Sequence, residues 1–136
     1  MTMITLTASV SVSLQKAWAI WNEPQHIIHW NFASDDWQCP SSSVDLRTGG
    51  RFSSRMEAKD GSFGFDFWGT YDEVVPFQTV RSTLGDGRKM EVRFSENQGK
   101  VTVTESFETE DQNTAERQRE GWQAILDNYK TYAESL

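Results

Sequence analysis

The sequence holds one cysteine, Cys39, so no disulfide can form within the chain. It has no apolar run long enough to span a bilayer, which predicts no membrane insertion. Basic residues are outnumbered, 13 against 20 acidic ones, leaving a formal net charge of −7. That balance argues against a nucleic-acid backbone or an anionic membrane surface as partner. The opening stretch MTMITLTASVSV has no basic region followed by an apolar block, so no secretory signal is expected. With a single thiol besides, the expected location is cytoplasmic. No G-x-S-x-G elbow, P-loop or dinucleotide fingerprint occurs, and the Gly85-Asp86-Gly87 run sits in a hairpin without the strand–helix context such a motif needs. Repeats, low-complexity tracts and linkers are also missing, so the 136 residues are expected to form one domain, 1–136.

What the chain does have is large rings: six Trp and eight Phe, enough to supply much of a small core. The hydrophobic periods give their arrangement. In MITLTASVSV, Ile4, Leu6, Ala8, Val10 and Val12 share one face, which predicts a half-buried strand. Ser13 is placed to cap a helix through LQKAWAIWN, with Trp18 and Trp21 three apart. Pro24, with its preset φ, starts a second short helix through QHIIHW. The Ser/Asp/Pro-rich ASDDWQCPSSS reads as a loop with at most a short strand.

Five or six antiparallel strands are expected between Val44 and Glu108. RFSSRMEA places Phe52, Ser54, Met56 and Ala58 on one face, and Asp60-Gly61 supplies the positive φ of a hairpin turn. FGFDFWGTYDEVV runs to Pro76, and QTVRSTL, KMEVRFSE and VTVTESFE follow, each separated by turn residues, so a meander is the economical topology. Gly49 and Gly50 allow a sharp bend or bulge into the next strand, and Arg47 is expected to pair with a carboxylate or carbonyl beside it. Asn113 followed by Glu116 resembles a capping box. From there Gln118, Trp122, Ile125, Leu126, Tyr129, Tyr132 and Ala133 recur at helical spacing, predicting one amphipathic helix over 114–134. Its apolar face has only the sheet to lie on. The order of elements gives an α+β helix-grip fold: a curved antiparallel sheet wrapped around a long C-terminal helix, with two short helices after the first strand.

Little in the sequence points to a specific reaction. His26 and His29 lie three apart, but no third ligand set accompanies them, so no metal and no cofactor are expected. A thiol nucleophile at Cys39 would need an orienting histidine that the sequence does not provide. Glu105 stands apart from the other acids because the strand period places it with Val101, Val103 and Phe107. An acid on an inner face must be paired, hydrogen-bonded or protonated. The alternatives are a bulge that shifts the phase or a position at the solvent rim. Trp68 falls opposite Phe65 and Phe67, either exposed at an interface or turned inward by a bulge near Gly69. With the outward strand faces it offers a surface for a homodimer.

Five blocks in order, AWAIWNEPQHIIHW, VDLRTGGRFSSRM with DG after it, GTYDEVVPFQTV, VTVTESF and EGWQAILDNY, resemble the family similar to activators of the Hsp90 ATPase, within the START/Bet v 1-like superfamily. Leu14 and Thr48 stand where many members carry Pro, both conformationally mild departures. The resemblance implies a single helix-grip domain and, for function, a small apolar or amphipathic molecule held in a cavity between sheet and helix. Two other roles come with it. One is a polyketide cyclase-like enzyme using the same cavity. The other is a co-chaperone-like interaction module, a role whose members carry a further N-terminal domain. The residues expected on the inner faces, and so around a ligand, are Trp30, Phe52, Met56, Phe67, Tyr71 and Trp122. Glu105 is the candidate polar anchor or proton-transfer group.

Overall fold

The computed structural model describes residues 2–136. Strand β1 (Met3–Val10) is followed by two short helices, α1 (Leu14–Asn22) and α2 (Pro24–Ile27). Six strands come next: β2 (Trp37–Val44), β3 (Arg51–Ala58), β4 (Gly64–Val75), β5 (Thr79–Leu84), β6 (Lys89–Asn97) and β7 (Lys100–Glu108). The chain closes with α3 (Ala115–Ser135). The seven strands form one antiparallel sheet in the order β1-β7-β6-β5-β4-β3-β2. Strands β2 to β7 are thus a meander, and β1 returns to the free side of β7. The sheet curls into a half-barrel around α3, the helix-grip arrangement. Among the described residues no helix is long and apolar enough to cross a membrane.

Local chemistry explains most element boundaries. The Ser13 hydroxyl accepts the Lys16 amide at 3.1 Å and starts α1, while Pro24 opens α2. The strict alternation of β1 buries Ile4, Leu6, Ala8 and Val10. Gly49 turns with φ +86°, and at Gly50 a Cβ would fall on the Asp45 carbonyl oxygen, so this corner requires glycine. The corner is pinned to β4 by bonds from Gly49 N to the Tyr71 carbonyl (2.8 Å) and from Tyr71 N to the Gly50 carbonyl (2.9 Å). Arg47 pairs beside it with Asp45 at 2.9 Å, on the exposed surface.

Two boundaries differ from expectation. The segment around Cys39 and Pro40 is a full edge strand, β2, paired with β3. Its register shifts between Gln38 and Ser41, and that bulge breaks the period a sequence reading depends on. Cys39 is therefore a buried strand residue, not part of a loop. The cap of α3 is Thr114, whose extended backbone lets its hydroxyl accept the Arg117 amide at 3.1 Å. Asn113 is held outside the helix, its amide bonded to Glu110 at 2.8 Å.

The core sits between the concave face of the sheet and the helices. Val10, Ala17, Val101, Val103, Phe107, Leu126, Tyr129 and Ala133 are fully buried. The Tyr129 hydroxyl donates to the Ala17 carbonyl at 2.7 Å and ties α3 to α1. The helices approach β1, β2, β6 and β7 most closely. Trp68 faces outward: Arg51 lies 4.1 Å above its ring, and Gly85 provides the flat seat on which the ring rests. The bulge in β4 falls between Tyr71 and Glu73, too far along to turn Trp68 inward.

Candidate functional site

Where the helices stand away from the sheet, a cavity of about 250 Å³ remains, open to solvent on one side. The period of β3 aims Phe52, Ser54 and Met56 into it, and β4 contributes Phe65, Phe67 and Tyr71. From α2 and the turn after it come Ile27, Trp30 and Asn31, and from α3 come Trp122 and Ile125. All seven residues singled out from the sequence, Trp30, Phe52, Met56, Phe67, Tyr71, Glu105 and Trp122, lie on this one wall.

The aromatic lining is held by its own contacts. Trp122 stacks on Phe107 with centroids 3.9 Å apart and an interplanar angle of 10°. Phe67 meets the edge of Trp122 at 5.9 Å, and Phe52 packs between Phe67 and Tyr71. Trp30 packs on Trp21 and Tyr129, and its indole N–H donates to the Ile20 carbonyl at 3.1 Å. Phe65 is partly exposed and packs against Trp37 and Phe63, which lie outside the cavity wall. These rings fix one another in place before anything enters the cavity.

Polar groups on the wall fall into two sets. Several are already engaged. The Ser54 hydroxyl meets Ser42 at 3.0 Å, and Asn22 donates to the Trp18 carbonyl at 3.0 Å. Arg88 is held by the Asp86 carboxylate at 2.7 Å and by the Glu108 carbonyl at 3.3 Å. Glu105 differs. It is 5% exposed, its neighbours in register are Leu6 on β1 and Val92 on β6, and no hydrogen bond ties its carboxyl to another described residue. Burial alone pushes its pKa up to about 8. Neither a bulge nor a rim position removes it from the inner face. Tyr71 has its phenol pushed well above the ordinary range, first by burial and then by the Asp45 carboxylate.

Sequence reasoning left out Ser54, Val80, Ser82, Met90 and Val92 as wall residues, although strand phase was signal enough to find them. Trp21, Asn22, Asn31 and Arg88 had no such signal, because the angle of the short helices and the β5–β6 turn bring them in. Val44 and Ile125 also line the cavity.

The other candidates lie elsewhere. His26 Nδ1 and the Tyr132 hydroxyl are hydrogen-bonded at 2.8 Å, and His29 stacks on the same ring. Among the described residues no group of three His, Cys, Asp or Glu side chains is arranged to hold a metal. Burial raises the pKa of the Cys39 thiol, opposed by its hydrogen bonds with Ser54 and Ser41, so its reactive thiolate is scarce near neutrality.

Comparison with known proteins agrees with this architecture. No curated protein matches the chain. The solution structure of an AHSA1-like protein from Aeromonas hydrophila is 42% identical, with a TM-score of 0.93 over 98% of this chain and 93% of the other. A solution structure from Cytophaga hutchinsonii is 43% identical, with a TM-score of 0.84 over 97% of this chain and 92% of the other. A crystal structure from Nitrosomonas europaea shares the fold, with a TM-score of 0.84 at 18% identity over 98% of this chain and 94% of the other. Residues 11–134 match the family described as Activator of Hsp90 ATPase homolog 1-like protein. The chain belongs to that family, within the START/Bet v 1 superfamily.

Proposed function

We propose that this protein binds a small apolar or amphipathic molecule in the cavity between the sheet and α3. The observation that carries this reading is a preformed aromatic wall around one acid without a protein partner. A pocket that is mostly apolar, with few polar groups to orient its guest, is the usual form of a small-molecule site. The cavity's volume limits the guest. A space of roughly 150 Å³ takes a benzene-sized molecule, so about 250 Å³ suits a ring with a short side chain or a compact two-ring molecule. Trp30, Phe52, Met56, Phe67, Tyr71 and Trp122 supply contact area, and Glu105 supplies the polar anchor.

A second reading rests on Glu105 alone. An acid with a pKa near 8 is close to the operating pH of a general acid or base. A cyclase-type reaction would use the same cavity, with Glu105 moving the proton. The co-chaperone-like role would instead use an outer surface, and the cavity gives no reason to prefer it.

Native mass spectrometry of the purified protein tests the first reading, followed by extraction and identification of what co-purifies. We expect a discrete adduct, or saturable quenching of Trp emission by compact non-fluorescent aromatic compounds in its absence. Failure to observe either, across compounds small enough for the cavity, would refute ligand binding. Turnover of an identified ligand that is lost in Glu105→Gln would favour the enzyme reading.

A further inference from the structure

We propose that the ligand is an amine, with its ammonium group paired to the Glu105 carboxylate and its apolar body against the aromatic wall. This rests on the small-molecule reading above and names the chemical class. Three observations converge on a cation. The first is the acid itself: it is 5% exposed, faces the cavity and has Leu6 and Val92 beside it, and no described residue pairs with or hydrogen-bonds its carboxyl. A buried acid left in this state is costly unless the missing partner comes from elsewhere.

The second is the wall. Trp30, Phe52, Phe67 and Trp122 present ring systems, and aromatic faces attract cations where water is excluded. The third is the surrounding charge. The charged or titratable residues on the wall besides Glu105 are Tyr71 and Arg88. Tyr71 stays neutral as a phenol, and Arg88 is bound to Asp86 at 2.7 Å, so neither competes for the site. The whole chain carries −7, a field that draws cations and repels anions.

The alternatives fit less well. An anionic ligand would place its charge against an acid in a mostly apolar cavity. A neutral acceptor would use only the protonated form of Glu105, a task any hydroxyl or amide does without the cost of burying an acid. Pairing with an ammonium uses the feature that distinguishes Glu105. Near neutral pH the acid of the free protein is protonated, because burial holds its pKa at about 8. Binding an ammonium therefore releases the Glu105 proton to solvent and leaves a carboxylate–ammonium pair. Affinity rises with pH up to the pKa of the acid and levels off above it.

Calorimetry with phenethylamine, phenethyl alcohol and phenylpropionate tests this, since the three share a body and differ in head group. At about pH 8 the amine should bind about ten-fold more tightly than the alcohol, and the carboxylate should bind most weakly. The amine should release a proton at about pH 7, and the alcohol should release none. Glu105→Gln should bring the amine to the level of the alcohol while alcohol binding persists. Should that variant fail to fold, the wild-type protein still decides: NMR titration of the Glu105 carboxyl should show its pKa falling when the amine is bound. Alcohol binding as tight as amine binding, or a bound amine that leaves the Glu105 titration unmoved, would overturn the amine assignment alone. No binding by any of the three would overturn the small-molecule reading and this inference with it.

Discussion

On one side of the sheet, β1 and β7 meet α3 and α1 with no space between them. On the other, the inner faces of β3, β4 and β5 have no helix laid closely against them, and the cavity remains. How the side chains interlock differs between the two. The closed side interlocks short side chains, Val10, Val101, Val103, Ala17 and Ala133, with the large Phe107, Leu126 and Tyr129, all fully buried. The open side is built from Phe52, Phe67, Trp30 and Trp122, whose rings hold the helix off while their flat faces leave volume between them. Strand β7 belongs to both. Val103 and Phe107 are sealed in the core, while Glu105 between them faces the cavity.

If the closed side carries stability, cutting into it should cost most. Leu126 is fully buried on α3, and Leu126→Ala should destabilise by about 2–5 kcal/mol in urea unfolding. A loss below about 1 kcal/mol would mean that this side is not closely packed.

The next largest effect belongs to Glu105 and has the opposite sign. Its folded pKa of about 8 lies above the ordinary 4.5. The folded protein therefore binds more protons at this site than the unfolded one between those values, and stability falls as pH rises from about 4.5 to about 8. Glu105→Gln should remove that decline and stabilise the protein by on the order of 3 kcal/mol at neutral pH. An unchanged pH profile of unfolding would show that the acid is not desolvated.

Trp122 stands between the two sides, stacked on Phe107 yet partly exposed to the cavity. Trp122→Ala should cost about 1.5–3 kcal/mol, less than a fully buried Trp, and should also weaken ligand binding. A loss of stability without any effect on binding would assign it to the closed side alone.

The smallest effect is at Tyr129. Removing its hydroxyl breaks the bond to Ala17, and Tyr129→Phe should cost about 0.5–1.5 kcal/mol without touching the cavity.

The closed side was also the more legible in the sequence. The alternation of β1 and the apolar stripe of α3 follow from burial on one face, which the periods record directly. Ser13, Pro24 and the Asp60-Gly61 turn marked boundaries by local chemistry alone. On the open side the period failed at β2, where a bulge and Pro40 in an edge strand look like loop residues. Phase still brought the seven named residues to one wall, because alternation on β3, β4 and β7 survives there. Asn22, Asn31 and Arg88 were not legible, since helix angle and turn geometry, not periodicity, bring them to the cavity. The Thr114 cap was missed by one position, because Thr and Asn both cap well and only the backbone distinguishes them.

Methyl-resolved NMR during titration with phenethylamine tests most directly the claim that one side is built for packing and the other for binding. Met56, Val80, Met90, Val92 and Ile125 line the cavity, whereas Val10, Ile20, Val101 and Val103 are sealed in the core. The account predicts saturable shifts in the first group and small, scattered ones in the second. Shifts confined to outward-facing methyls, or larger in the sealed core than around the cavity, would contradict it.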